Sequence, residues 1–130
     1  MTLEINLPDV LAEIGAVFAR YEDALVNNRI DVLDELFWDS ALTVRYGGAE
    51  NLVGIDAIRA FRAARPAVGL ARTLSNTVIT TYGRDFATAM TEFHRAGSPR
   101  IGRQSQTWVR LAPGWRVVAA HVSVIDAPTP

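Results

Sequence analysis

Residues 101–125 read IGRQSQTWVRLAPGWRVVAAHVSVI. Two long runs rich in β-branched and aromatic residues flank Ala112, Pro113 and Gly114, which form a turn signal. The pattern predicts an antiparallel hairpin with strands over 101–111 and 115–125. Side chains alternate faces along a strand. Gln104, Gln106 and Trp108 therefore share a face of the first strand, and Trp115, Val117, Ala119, His121 and Ser123 share a face of the second. Upstream, 72–82 and 86–95 have the same character, and the turn signals GRD and AGSP bound them. On the first of these, Arg72, Leu74 and Asn76 share a face, while Glu92 and His94 on the next read as facing away from the interior. Four consecutive long strands with short connections predict an antiparallel meander.

The first half has the other period. Over 9–28 the apolar residues are Val10, Leu11, Ile14, Val17, Phe18, Tyr21, Ala24 and Leu25, which lie on one helical face. Tyr21 belongs to that face, so its hydroxyl is expected to point inward. Asn27 and Asn28 suit the helix end. A short second helix is predicted over 30–38 and a strand over 42–47, with Arg45 in its middle. A third helix over 54–65 carries Ile55, Ile58 and Phe61 on one face and stops at Pro66. Helices gathered on one face of a curved, mostly antiparallel sheet make an α+β fold, read as one domain over 1–130.

Composition narrows the chemistry. The 130 residues are 49% hydrophobic and 21% charged, with a net charge of −1. That balance gives no reason to expect nucleic acid or an anionic membrane as partner. The sequence has no cysteine, which removes disulfides, thiolate-bound zinc and thiol nucleophiles. All thirteen basic residues are arginine, so lysine-base and Schiff-base chemistry are excluded. No signal peptide or membrane-length apolar run is read, and the expected location is the cytoplasm. His94 and His121 lie on different strands without metal-ligand companions at familiar spacing, so neither metal nor cofactor is expected. Nucleotide-binding glycine motifs and the nucleophile elbow are also missing.

Charge is segregated along the chain. Beyond residue 60 the acids are Asp85, Glu92 and Asp126, against seven arginines from Arg72 onward. A pocket lined by the sheet is therefore expected to be neutral or cationic and to favour a small anionic ligand.

The stretch ARYEDALVNNRIDVLDELFWDSALTV followed by GIDAIRAFR resembles the NTF2-like (SnoaL-like) cone-fold family, which includes the ketosteroid isomerases. In that resemblance Tyr21 falls on the oxyanion-hole tyrosine. Arg45 falls where the isomerases keep an aspartate base, and Gln106 where they keep a second, protonated aspartate. An arginine stays protonated and is no ordinary base. The resemblance thus implies the isomerase pocket without the isomerase reaction. A closer likeness runs through GRQSQTWVRLAPGWRVVAAHVS and YGG…GIDAIRAFRAAR. These segments resemble a cone-fold branch found alongside amidase-family hydrolases, and within it the decarboxylating 1,3-dicarboxyurea amidohydrolases of bacterial cyanuric acid (s-triazine) catabolism, which yield allophanate.

The same resemblance implies a site. It turns Tyr21, Arg45, Arg72, Gln104, Gln106, His121 and Ser123 toward the cone interior, with Trp38 and Trp115 as aromatic walls. Two carboxylates on the substrate call for two cationic clamps, with Arg45 and Arg72 as candidates. Loss of carbon dioxide from a carbamate requires a proton on its nitrogen, from Tyr21 or from His121. Tyr21 acting as a base on water is the other route. A non-catalytic subunit that binds an amidase is the alternative function, and a cyclase or isomerase of a hydrophobic ketone is a third. Val109, Leu111, Val118, Val122 and Val124 are expected on the outer sheet face, where a homodimer or homotetramer would form.

Overall fold

The computed structural model describes residues 2–127; Met1 and residues 128–130 lie outside it. Helix α1 (Pro8–Val26) begins with proline in its first turn, where the missing N–H costs nothing. It buries Val10, Ile14, Phe18, Tyr21 and Ala24, the predicted face. Its end is a Schellman turn. Asn28 takes φ 51°, its N–H donates to Leu25 O at 3.2 Å, and the Arg29 N–H donates to Ala24 O at 2.8 Å. Helix α2 (Ile30–Leu36) is shorter than expected, because Phe37 is already extended and bridges to Val117.

Strand β1 (Val44–Tyr46) is followed by β2 (Asn51–Val53), a three-residue strand that the sequence reading omits. Helix α3 (Ile55–Ala64) buries Ile55, Ile58 and Arg62. The meander is β3 (Thr73–Tyr82), β4 (Phe86–His94), β5 (Arg100–Leu111) and β6 (Gly114–Asp126). The six strands form one sheet in the order β2-β1-β6-β5-β4-β3, antiparallel except where β1 lies parallel to β6. Helices α1 and α2 pack against this sheet, and their apolar faces meet Ala87, Ala89, Trp108, Trp115 and Val117 in one buried cluster. This is the α+β cone expected from the sequence. No helix among the described residues is long and apolar enough to cross a membrane.

One irregularity decides which side chains enter the cone. On β5–β6 the pairing runs Thr107↔Ala119 and then Trp108↔Val117, so Val118 is an extra residue. A bulge of this kind shifts the in–out alternation by one. Trp115 and Val117 face inward before it, and Ala120 and Val122 face inward after it. The single-parity expectation for this strand is therefore corrected. His121 and Ser123 lie on the outer face, and Val122 lies inside. A second irregularity between Ser75 and Val78 turns Asn76 (φ 52°) outward, away from the face expected for it. Its amide donates to Glu92 Oε2 at 2.9 Å, and on the same ladder His94 Nε2 lies 3.1 Å from Ser75 Oγ.

Candidate functional site

At the open end of the cone, α1, α3, β1 and the inner face of β5–β6 enclose a cavity of about 170 Å³. Tyr21 reaches its wall from α1 and is 5% exposed. Its ring is held edge-on by Trp108 at 6.1 Å and flanked by Phe37 at 6.2 Å.

The cavity is cationic. Arg45, Arg62, Arg65, Arg72 and Arg95 all line it. Three of them have carboxylate partners. Arg45 Nη1 donates to Glu50 Oε1 at 2.9 Å, and its guanidinium lies 5.4 Å from the Phe61 ring centre. Arg62 Nη1 donates to Asp34 Oδ1 at 2.7 Å, over the Phe37 ring. Arg72 holds Glu22 bidentately, with Nε at 2.8 Å and Nη2 at 2.7 Å, and its Nη2 also donates to Gln104 Oε1 at 2.9 Å. Arg95 makes no ion pair with a described residue; its Nε donates to Gly69 O at 3.0 Å, and it stacks on the Phe93 ring, as Arg72 does. Arg65 also makes no ion pair with a described residue. Five cations against three carboxylates leave the cavity with two positive charges in excess.

That excess shows in the acidity of the unpaired pair. Burial, then the nearby Arg62 and Arg45 charges, lower the Arg65 pKa, and Tyr21 acts in the opposite direction. Burial and then Arg72 lower that of Arg95. Each guanidinium stays charged at neutral pH even so, because arginine is by far the most basic side chain.

Of the residues expected in the site, Tyr21, Arg45, Arg72 and Gln104 come together here. Arg72 is not a free clamp, because Glu22 fills its fork. Gln106 faces inward and is buried, but its Oε1 accepts the Trp108 indole N–H at 3.0 Å and it does not line this cavity. Trp115 is core, and its indole donates to Glu13 Oε1 at 2.6 Å. Trp38 lines a separate hollow beside Asp34, Arg59 and Arg116. His121 is exposed on the outer face, edge-on to Tyr46 at 6.1 Å, and Ser123 Oγ accepts from Arg103 Nη2 at 3.1 Å. Neither reaches the cavity.

The sequence reading omits Glu22, Glu50, Arg62, Arg65 and Arg95. A signal existed for Arg65, since the proline after it forces extended backbone and takes it off the helix. Arg65 indeed has φ −73° and ψ 135°.

Comparison with known proteins agrees with this architecture. The chain is 62% identical to a protein of unknown function from the DUF3225 family of Pectobacterium atrosepticum, with a TM-score of 0.93 over 94% of this chain and 95% of that one. It is 51% identical to a cystatin-like fold protein from Burkholderia xenovorans, with a TM-score of 0.93 over 97% and 99% of the two chains. An NTF2-like superfamily protein from Salmonella enterica serovar Typhimurium is 26% identical, with a TM-score of 0.74 over 94% of each chain. No curated protein matches the sequence. Residues 3–128 match the AtzH-like family, and the chain belongs to that family within the NTF2-like fold.

Proposed function

We propose that this protein is a decarboxylating amidohydrolase of a small carboxylated urea, converting 1,3-dicarboxyurea to allophanate and carbon dioxide in cyanuric acid catabolism. The observation that carries the reading is Tyr21 lining a small cavity that has two uncompensated positive charges. A substrate with a carboxylate at each end brings two negative charges to match them. Family membership supports the pathway, and the pocket chemistry supports the substrate class.

In the proposed step the bond between nitrogen and a terminal carboxylate carbon breaks. Its electron pair stays on nitrogen, which takes a proton from Tyr21, and the carboxylate leaves as carbon dioxide. Positioned proton transfer of this kind contributes ~10²–10⁴-fold in rate. Arg45, oriented by Glu50 and packed near Phe61, steadies the carboxylate that remains.

Turnover of 1,3-dicarboxyurea by wild type, Tyr21→Phe and Arg45→Ala tests the assignment. Both variants are expected to fold and to lose turnover, and wild-type rates in both would end it. An amidase that co-purifies with an isolated protein incapable of turnover would replace it with the accessory-subunit reading. The exposed residues Tyr46, Val78, Phe86 and Met90 lie on the outer face together with Val109, whereas Val122, also expected there, lines the inner cavity; that outer face is the surface on which a homodimer is proposed. Sedimentation of a Met90→Glu variant as a monomer is the outcome that supports that interface.

A further inference from the structure

Two arginines of the cavity present the same edge in opposite states. The Nε and Nη2 groups of a guanidinium form a planar two-donor fork that fits one carboxylate. On Arg72 this fork is filled by Glu22. On Arg65 the same two atoms are buried and have no hydrogen-bond partner. Buried, charged donors without partners are costly, and native structures rarely keep them without a use.

A third donor without a partner stands in the same cavity. The Gln104 side-chain oxygen is committed to Arg72 Nη2, which fixes the amide so that its Nε2 is the free end. That Nε2 is buried and unpartnered, and Gln104 is 2% exposed. Glu22, Arg72 and Gln104 therefore act as one chain. The carboxylate fixes the guanidinium, the guanidinium fixes the amide, and the amide presents its N–H groups.

We propose that the Nε–Nη2 edge of Arg65 is the seat of a substrate carboxylate, that the Gln104 amide donates to the same ligand, and that Arg72 is a positioning residue. The inference deepens the proposed function and rests on it only in requiring an anionic substrate. It names the ligand class as a small planar carboxylate and moves the second clamp from Arg72 to Arg65. Pro66 makes this arrangement, since a helical Arg65 would continue the exposed run of α3.

The test is calorimetric binding of glutarate, which has two carboxylates at similar spacing and nothing to hydrolyse, with neutral glutaramide as control. Wild type is expected to bind glutarate and not glutaramide. Arg65→Ala is expected to weaken glutarate binding by roughly 10- to 100-fold, the loss of charge-assisted hydrogen bonds. Arg65→Lys is expected to recover part of this, having the charge without the fork, and Gln104→Leu to weaken binding less than Arg65→Ala. The thermal midpoint of ligand-free Arg65→Ala is expected to be no lower than wild type, since the arginine has no partner to lose. Equal glutarate affinity in wild type and Arg65→Ala, wild type that fails to bind glutarate, or a clearly lowered midpoint would each overturn the proposal. Arg65-dependent glutarate binding by a protein that does not turn over 1,3-dicarboxyurea keeps this seat and removes the reaction. Full turnover by Arg65→Ala with unchanged binding does the reverse.

Discussion

Replacing Arg72 with alanine separates a positioning arginine from a substrate clamp. The Arg72 side chain is 2% exposed, and its partner Glu22 is 17% exposed. Removing one member of such a pair leaves the other charge in a poorly solvated place, a loss of about 3–5 kcal/mol. The lower end applies here because Glu22 keeps some contact with water. Loss of the cation–π contact to Phe93, at 4.4 Å, adds up to ~2 kcal/mol. For 130 residues, with unfolding entropy of about 2.1 cal/mol/K per residue, the expected fall in thermal midpoint is roughly 10–18 °C. Circular dichroism melts, checked by urea titration, measure it. Glu22→Gln should cost less, because its amide oxygen still accepts from the fork. The double variant Glu22→Leu with Arg72→Met should recover much of the loss, since it leaves no stranded charge. A melt of Arg72→Ala within a degree or two of wild type, together with a raised KM, would refute this reasoning. Arg72 would then be a ligand, and Glu22 a placeholder that substrate displaces.

Three further outcomes follow from the same geometry. His121→Ala should leave turnover unchanged and stability within about 0.5 kcal/mol, because the ring is exposed on the outer face; collapse of activity would show that the bulge assignment is wrong. Gly102→Ala should destabilise by about 1–3 kcal/mol and weaken glutarate binding, since a Cβ there would strike the Phe93 ring on which Arg72 and Arg95 both stack. The Glu35 carboxyl titrates below the ordinary glutamate value because Arg20 hydrogen-bonds it. Its folded value is depressed, so its contribution is present above the unfolded value and is lost as pH falls through the lower, folded one. NMR titration should find the Glu35 shift reduced in Arg20→Gln, with the weaker pull of Arg116 remaining.

What the sequence reveals and hides here has physical reasons. The α1 face and the four long strands are legible because a period of 3.6 and a period of 2 are each repeated over many residues. That is enough to bring Tyr21 and Arg45 to one cavity. The outward turn of His121 is illegible for a local reason. Val117, Val118, Ala119 and Ala120 are all small and apolar, so no polar residue marks which of them is extra. One inserted residue then reverses every side chain after it. At the other irregularity a mark does exist, because Asn76 is a residue type that tolerates a left-handed backbone. The arginines of α3 mislead in another way. Arg59, Arg62 and Arg65 recur every third residue and look like one solvated stripe. Only Asp34 from α2 and Phe37 just beyond it make Arg62 a buried residue, while Pro66 detaches Arg65 from the helix. Segregation of charge along the chain correctly implies a cationic cavity, yet it hides how that cavity is tuned. The neutralising carboxylates Glu22, Asp34 and Glu50 come from the acid-rich first half and meet arginines up to fifty residues away. The functional quantity is what remains unpaired after those meetings. Sequence composition counts thirteen arginines and cannot say that Arg65 keeps a buried fork without a partner.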